Sequence, residues 1–168
     1  HPLGHGASAE LLGEAEKRSG MVLSTSQQQA MEVVLTNKVA VLTGGPGVGK
    51  TTVVRVLIEA ASLCSRQVVL CAPTGRAAKR LQESAGHPAS TIHRLLEVDA
   101  QTHQFRRGAD HPIRADVVVI DEVSMLDLPL LAAILAAIPD EAAVLFVGDA
   151  DQLPSVGPGL VLADLIDS

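Results

Sequence analysis

A glycine-rich loop lies between two apolar segments of this sequence and limits its possible folds. Residues 44–52 follow the apolar run 39–42 and precede the apolar, helix-like run 53–58. Glycines let consecutive backbone N–H groups turn inward, and the next helix directs its positive dipole end to the same point. The pattern G-x-x-x-x-G-K-[ST] therefore predicts a cradle for a nucleoside triphosphate. A glycine-rich turn without a ligand is the alternative. The cradle residues are Gly44, Gly45, Pro46, Gly47, Val48, Gly49, Lys50, Thr51 and Thr52.

Two side chains of this loop carry predicted chemistry. Lys50 is expected to reach the β- and γ-phosphates of a bound nucleotide. The hydroxyl of Thr51 is expected to complete the coordination shell of Mg²⁺. The sequence thus predicts ATP and Mg²⁺ as ligands.

Strands and helices alternate along the chain. The pattern predicts strands at 39–43, 67–72, 117–120 and 142–147, with helices at 76–84 and 129–138 among them. Residues 117–120 are four consecutive β-branched residues, which is typical of a strand buried on both faces of a parallel sheet. The expected fold is therefore α/β with a mainly parallel sheet, and ligands collect at the carboxyl ends of its strands.

Three segments are predicted to lie outside this alternation or at its start. Residues 1–20 have a weak helical patch and are interpreted as an N-terminal junction, with one domain over 21–168. Ser24 followed by Gln27 predicts a capping box at the start of a helix. Residues 86–115, with a short helical run at 91–98, are expected to be an excursion from the core.

Charge is unevenly distributed along the chain. Residues 66–114 carry 8 Lys/Arg and 4 Asp/Glu, whereas residues 115–168 carry 0 and 10. A basic middle suits a polyanionic partner, and an acidic end suits metal binding or repulsion of nucleic acid. Solvated surface charge would give the same count. The chain has 2 Phe and no Trp or Tyr, which argues against a base-stacking platform.

Two further features bear on location. The longest apolar stretch, 130–138, is far shorter than the ~20 residues of a membrane span, so no membrane association is expected. Cys64 and Cys71 have no metal-binding spacing and are interpreted as reduced thiols. A cytoplasmic protein is therefore predicted.

Acidic residues follow the third predicted strand directly. Asp121 and Glu122 emerge at the sheet edge that carries the phosphate-binding loop. Asp121 is predicted to hold Mg²⁺, and Glu122 to orient or deprotonate a water that attacks the γ-phosphate. An acidic pair that serves only a helix dipole is the alternative.

The last predicted strand leads into a loop with a glutamine. An amide side chain both donates and accepts hydrogen bonds, so Gln152 could report the presence of a γ-phosphate. Taken alone, residues 148–154 are an ordinary polar turn.

Six ordered motifs from about residue 20 to the end together resemble superfamily-one DNA helicases, and most closely the RecD-like group. They are LSTSQ at 23–27, GGPGVGKTT at 44–52, APTGRAAKRL at 72–81, STIHRLL at 90–96, VIDEVSMLD at 119–127 and GDADQLPSVGPG at 148–159. The resemblance implies a RecA-like P-loop NTPase three-layer sandwich. It also implies the first motor domain of an ATP-dependent 5′–3′ helicase that acts on single-stranded DNA in recombination or repair.

The resemblance also assigns roles to individual residues. It gives Gln27 to adenine recognition, which is compatible with the capping role, and Gln152 to γ-phosphate sensing. The matching DNA-binding positions are Pro73, Thr74, Gly75, Arg76, Thr91 and His93.

A basic stripe supports the same face independently. Arg76, Lys79 and Arg80 are spaced i, i+3 and i+4, so they lie on one side of a helix. A solvated helix face is the alternative for Lys79 and Arg80. His93 could instead be a packed, hydrogen-bonded histidine.

The resemblance finally implies a second motor domain and partner subunits that are not part of these 168 residues. A second motor domain and its arginine finger have no counterpart after Ser168, so the fragment is expected to bind nucleotide, hydrolyse it slowly and not unwind DNA. Nuclease or helicase partner subunits are further expectations. Two other functions stay open, a phosphate-loop kinase for a nucleotide or small molecule and a nucleotide-switched DNA-binding scaffold.

Overall fold

The computed structural model describes residues 9–45, 47–102 and 104–149. Within them, the strands are β1 Val39–Thr43, β2 Val68–Ala72, β3 Ala89–Thr91, β4 Val117–Ile120 and β5 Ala143–Gly148. The helices are α1 Ala9–Ser19, α2 Thr25–Thr36, α3 Lys50–Leu63, α4 Gly75–Ala85, α5 Ile92–Leu95 and α6 Leu128–Ala137, with a 3₁₀ turn at Val123–Met125.

The strands form one parallel sheet in the order β1-β5-β4-β2-β3. Strand β4 lies in the centre of the sheet. It is buried at all four positions, as the β-branched run predicted. The predicted parallel α/β fold is therefore confirmed. All five strands run in the same direction, so their carboxyl ends share one edge.

Side-chain alternation divides the core into two layers. On β4, Val117 and Val119 belong to the apolar cluster that includes α1, α2, α3 and α4. Val118 and Ile120 belong to the cluster that includes α5 and α6. Because successive residues of a strand point to opposite faces, helices cover the sheet on both sides and produce three layers.

One observed strand was not predicted from the sequence. Residues 89–91 lie in the segment predicted to be an excursion from the core, yet they form edge strand β3, paired with β2 from Leu70 to Ala72. Three residues are too few to show an alternating pattern, and their pairing depends on a neighbouring strand that is distant in sequence. The predicted helical run at 91–98 shortens to α5.

Helix α1 lies within the segment interpreted as a junction. Ala15 is fully buried in the same core as α3, and Arg18 pairs with Glu59 of α3 at 3.0 Å. Part of that segment therefore packs on the domain, while the division at residue 20 stays a prediction for the whole protein. No helix in the described ranges is long and apolar enough to cross a membrane.

Candidate functional site

The glycine loop between β1 and α3 adopts a backbone that glycine favours. Gly44, Gly47 and Gly49 have φ values of +152°, +81° and +81°. A Cβ on Gly44 would lie 2.7 Å from Cγ2 of Val48, and one on Gly49 would lie 2.1 Å from Nε2 of Gln27. Both the backbone angles and the close neighbours thus require glycine here. Pro46 lies outside the described residues.

Helix α3 begins at this loop without a side-chain cap. Its N-cap is Gly49, which provides no side-chain hydrogen bond to the first turn. The first N–H groups of a helix need acceptors from outside the helix, and an anion satisfies them well. This helix N-terminus therefore fits a phosphate group.

Lys50 lies over the loop from the first turn of α3. Its Nζ donates to the carbonyl of Gly45 at 3.0 Å and also to that of Gly44. An ammonium group and a helix N-terminus therefore meet at the same place, which concentrates positive potential there. Thr51 and Thr52 follow in the same turn, with Thr51 exposed.

Gln27 joins the start of α2 to this loop. Its Oε1 accepts from the backbone N–H of Ser24 at 2.9 Å, and the Ser24 hydroxyl accepts from the N–H of Gln27, which completes the predicted capping box. Its Nε2 donates to the carbonyls of Val48 at 3.4 Å and Gly49 at 3.3 Å. The side chain thus stabilises both the helix start and the loop.

Asp121 lies immediately after β4, where its backbone N–H donates to the carbonyl of Cys71 at 2.9 Å. Burial raises the pKa of its carboxyl above the ordinary value, and the charge of Lys50 acts in the opposite direction. A partly buried carboxylate in the same pocket as a lysine is the type of group that a divalent cation stabilises.

Glu122 has a strained backbone and a cationic partner. Its φ of +54° and ψ of +44° are left-handed, a conformation that costs a non-glycine residue about 1–3 kcal/mol. Its Oε1 accepts a hydrogen bond from Nη2 of Arg80 at 2.6 Å. The strained turn directs the carboxylate towards α4.

A pocket of about 160 Å³ brings these groups together. It unites Lys50 and Thr51 of α3 with Asp121 and Glu122 beyond β4, four residues to which the sequence analysis assigned phosphate, metal or catalytic roles. The lining residues are Lys50, Thr51, Val54, Leu81, Asp121, Glu122, Val147, Gly148 and Asp149. Residues from four elements thus meet at the carboxyl edge of the sheet.

Asp149 is a pocket residue that the sequence analysis did not assign. It follows β5, is 7% exposed and lines the same pocket as Asp121. Its position two residues after the predicted strand 142–147, close to the end of a strand like that of Asp121, was the available signal. Gln152, the predicted γ-phosphate sensor, lies outside the described residues.

The acidic groups alone do not form a metal cage. Among the described residues, no group of three or more His, Cys, Asp or Glu side chains could hold a metal ion. Mg²⁺ is usually bound by one or two carboxylates together with waters and phosphate oxygens of the substrate. Asp121 and the Thr51 hydroxyl suit that pattern.

The residues predicted to contact DNA lie beside this pocket at the same edge. Ala72 of β2 pairs with Thr91 of β3, so residues 73–76 and 91–93 follow two neighbouring strands. Thr74 caps α4 by accepting from Ala77 N–H, and Thr91 caps α5 by accepting from Arg94 N–H. Both threonines thus have structural roles, and their DNA contacts stay predictions.

The basic helix face is exposed. Arg76, Lys79 and Arg80 are all exposed on α4, with Lys79 3.9 Å from Glu83 and Arg80 paired with Glu122. The exposed His93 ring contacts Phe105, with ring centroids 5.7 Å apart. Residues 73–80, which include Pro73 and Gly75, and residues 91–93 thus lie at the same edge of the sheet, next to strands β2 and β3.

The chain is similar in sequence to known proteins. It is 44% identical over 149 residues to the ATP-dependent RecD2 DNA helicase of Deinococcus radiodurans, an alignment that covers 89% of this chain and 21% of that protein. It is 40% identical over 165 residues to the RecBCD enzyme subunit RecD of Mycolicibacterium smegmatis, covering 84% of this chain and 30% of that subunit. The chain therefore spans less than a third of the length of these relatives.

One solved structure and one family model also match this chain. A structure that describes DNA unwinding at forked double-stranded DNA by two coordinating Pif1 helicases superposes with a TM-score of 0.60 at 27% identity, covering 88% of this chain and 38% of that one. A family model described as an AAA domain matches residues 27–158. That match contains the phosphate-binding loop, the acidic strand end and the basic helix. The chain therefore belongs to this AAA domain family, and RecD-type helicases are among its relatives.

Proposed function

We propose that this chain is the ATP-binding first motor domain of an ATP-dependent 5′–3′ DNA helicase of the RecD type. The observation that carries the proposal is the pocket in which Lys50 and Thr51 meet Asp121 and Glu122. Similarity to a RecD2 helicase over 89% of the chain supports it. The direction of movement and a role in recombination or repair rest on that similarity.

The residues divide the chemistry of ATP hydrolysis among them. The loop glycines and the N-terminus of α3 would hold the phosphates, with Lys50 at the β- and γ-phosphates and Gln27 at the adenine. Thr51 and Asp121 would hold Mg²⁺, which neutralises phosphate charge when bound. Gln152 would sense the γ-phosphate.

Glu122 would act as the general base. As water oxygen bonds to the γ-phosphorus, the bond from that phosphorus to the leaving diphosphate oxygen breaks, and the water proton passes to the Glu122 carboxylate. Within the described residues, no arginine lines the pocket. We therefore expect an arginine from a second motor domain to complete the site, and slow hydrolysis by the 168-residue chain alone.

Single-stranded DNA would lie along the segments after β2 and β3. The exposed basic residues of α4 and the capped turns at Thr74 and Thr91 support this placement. Partner subunits belong to the same proposal, because one relative is named as a subunit of the RecBCD enzyme. We expect such partners to be nucleases or helicases. So does a cytoplasmic location, which the free thiols of Cys64 and Cys71 suit.

Calorimetry with ATP and ADP in the presence of Mg²⁺ tests the nucleotide site on the chain itself. We expect binding that Lys50→Ala abolishes. Lys38→Ala is the control, because its Nζ contacts the Asp140 carbonyl away from the pocket. Absence of nucleotide binding by the folded chain would refute the proposal.

A second experiment separates a motor from the two other functions. In the complete protein, Glu122→Gln should abolish turnover while ATP binding persists. A nucleotide-switched scaffold would be indifferent to this change. A kinase would transfer the phosphate to a small acceptor rather than release it, which a phosphate-release assay distinguishes.

DNA binding has its own test. Fluorescence anisotropy with a labelled oligonucleotide should show weak binding that falls with salt by about 0.7 log units, per tenfold rise in salt, for each phosphate contact. Arg76→Ala should reduce this slope, whereas Arg18→Ala, on α1 and paired with Glu59, should not. Salt-independent binding would contradict the placement of DNA.

A further inference from the structure

One side chain links the basic face of α4 to the candidate catalytic glutamate. Nη2 of Arg80 donates to Oε1 of Glu122 at 2.6 Å. Arg80 lies one turn beyond Arg76, so it belongs to the face on which we place DNA. Glu122 belongs to the pocket. The ion pair therefore joins the two sites through a single contact.

The two partners differ in their exposure. The Glu122 side chain is 19% exposed, whereas that of Arg80 is 62% exposed. A guanidinium group has five N–H donors, and the structure records one hydrogen bond from this one, to Glu122. Arg80 can therefore meet a second anion on the outside of α4.

The strength of the contact permits exchange. An ion pair this exposed shifts an equilibrium by only about twofold to fivefold. A DNA phosphate accepts paired hydrogen bonds from arginine and is a competitor of similar or greater strength. The Arg80–Glu122 pair is thus weak enough for DNA to displace it.

The contact also involves the group that catalysis needs. One carboxylate oxygen of Glu122 accepts from Arg80, which takes up one of its lone pairs and fixes the direction of the carboxylate. Arg80 reaches the carboxylate from outside, since it is not among the described residues that line the pocket. This arrangement favours restraint of Glu122 over orientation of an attacking water.

We propose that Arg80 is a positioning residue that restrains Glu122 while the α4 face is empty. The phosphate backbone of single-stranded DNA on that face draws Arg80 away and releases Glu122. This exchange accounts for part of the stimulation of ATP hydrolysis by DNA. The inference rests on the proposed function.

Steady-state ATP turnover of the complete protein, with and without single-stranded DNA, tests the restraint. Arg80→Ala should raise DNA-free turnover about twofold to fivefold and lower the stimulation by DNA by the same factor. Arg80→Lys, which keeps the charge, should retain part of the restraint. Arg66→Ala is the matched control, because it removes an exposed arginine–carboxylate pair with Asp116 at the opposite end of β2.

A binding cycle without nucleotide tests the exchange independently of activity. Since DNA and Glu122 compete for Arg80, Glu122→Gln should raise the affinity for a labelled oligothymidine about twofold to fivefold. That gain should vanish in an Arg80→Ala background. Glu83→Gln removes a charge from the same helix and should have an equal effect in both backgrounds.

The outcomes separate the two proposals. If the wild-type complete protein has no DNA-stimulated turnover, the proposed function fails and the inference fails with it. If wild type and Arg66→Ala are stimulated alike but Arg80→Ala has unchanged or lower DNA-free turnover, the inference alone fails. An equal affinity gain from Glu122→Gln in both backgrounds would also overturn it.

Discussion

The amide of Gln27 fills the space that a side chain at Gly49 would need. Nε2 of Gln27 lies within 3.3 Å of the Gly49 carbonyl oxygen, and a Cβ at Gly49 would be 2.1 Å from that nitrogen. The start of α2 and the phosphate-binding loop therefore depend on each other. This relationship makes both residues informative targets.

Substitution of Gly49 should damage the loop in two ways. Gly49→Ala places a Cβ at a φ of +81° and against the Gln27 amide, so the unfolding free energy should fall by about 1–3 kcal/mol and nucleotide affinity should drop. Chemical denaturation and calorimetry measure the two effects. Gly13→Ala is the control, because its Cβ would meet no atom within 4 Å and alanine favours the helix by up to about 1 kcal/mol. Equal stability of both variants would contradict the argument.

Removal of the Gln27 side chain should weaken α2 and the loop together. Gln27→Ala deletes half of the capping box and both hydrogen bonds to the loop carbonyls, so we expect a loss of about 0.5–2 kcal/mol and weaker nucleotide binding. Gln28→Ala, at the exposed next position of the helix, should change neither quantity. Thermal unfolding with and without ADP distinguishes the two variants. A Gln27→Ala chain as stable as Gln28→Ala would show that the capping box contributes little.

The two thiols should react at very different rates. Burial first, and then the charge of Asp121, raises the pKa of the Cys71 thiol far above its ordinary value, so the reactive thiolate is scarce at neutral pH. Cys64 is partly exposed at the end of α3. A disulfide exchange reagent should therefore modify one thiol quickly in the folded chain and the second only on unfolding. Cys64→Ser should remove the fast phase, and a persistent fast phase would refute the assignment.

The loop around Asp99 should lose order in acid. A hydrogen bond from Arg106, followed by backbone N–H groups of Thr102 and Gln101, holds the pKa of Asp99 well below its ordinary 3.8. A lowered folded-state pKa stabilises the fold above the unfolded value, and this stabilisation is lost as pH falls from about 4 through the lowered pKa. Hydrogen exchange of the Gln101 and Thr102 amides should show the loss.

Arg106→Gln should move the pKa of Asp99 back towards 3.8, because it removes the largest cause of the shift. The acid transition of the loop would then begin at a higher pH. An NMR titration of the Asp99 carboxyl measures the change directly. An unaltered titration curve would show that the backbone donors alone set this pKa.

Local patterns account for the features that were predicted correctly. The glycine loop, the capping box at Ser24 and the four β-branched residues of β4 each depend on residues close in sequence. Apart from the helical run at 91–98, the predicted ends of helices and strands lie within one residue of the observed ends, which is inside the usual uncertainty of such boundaries.

Distant neighbours account for the features that were missed. Strand β3 exists because β2 provides hydrogen-bonding partners for residues 89–91, and no pattern within three residues encodes that. Asp149 joins the pocket because β5 lies between β1 and β4. Helix α1 became part of the fold because α3 covers Ala15.

Side-chain period, β-branching and glycine content act over a few residues, so they predict a parallel α/β sheet with a glycine-rich loop and two carboxylates at one edge. Which of these groups touch depends on the folded chain. The pairing of Arg80 with Glu122, across 42 positions, is the clearest case. Such contacts depend on strand order and on packing of the whole core, which no local stretch of sequence specifies.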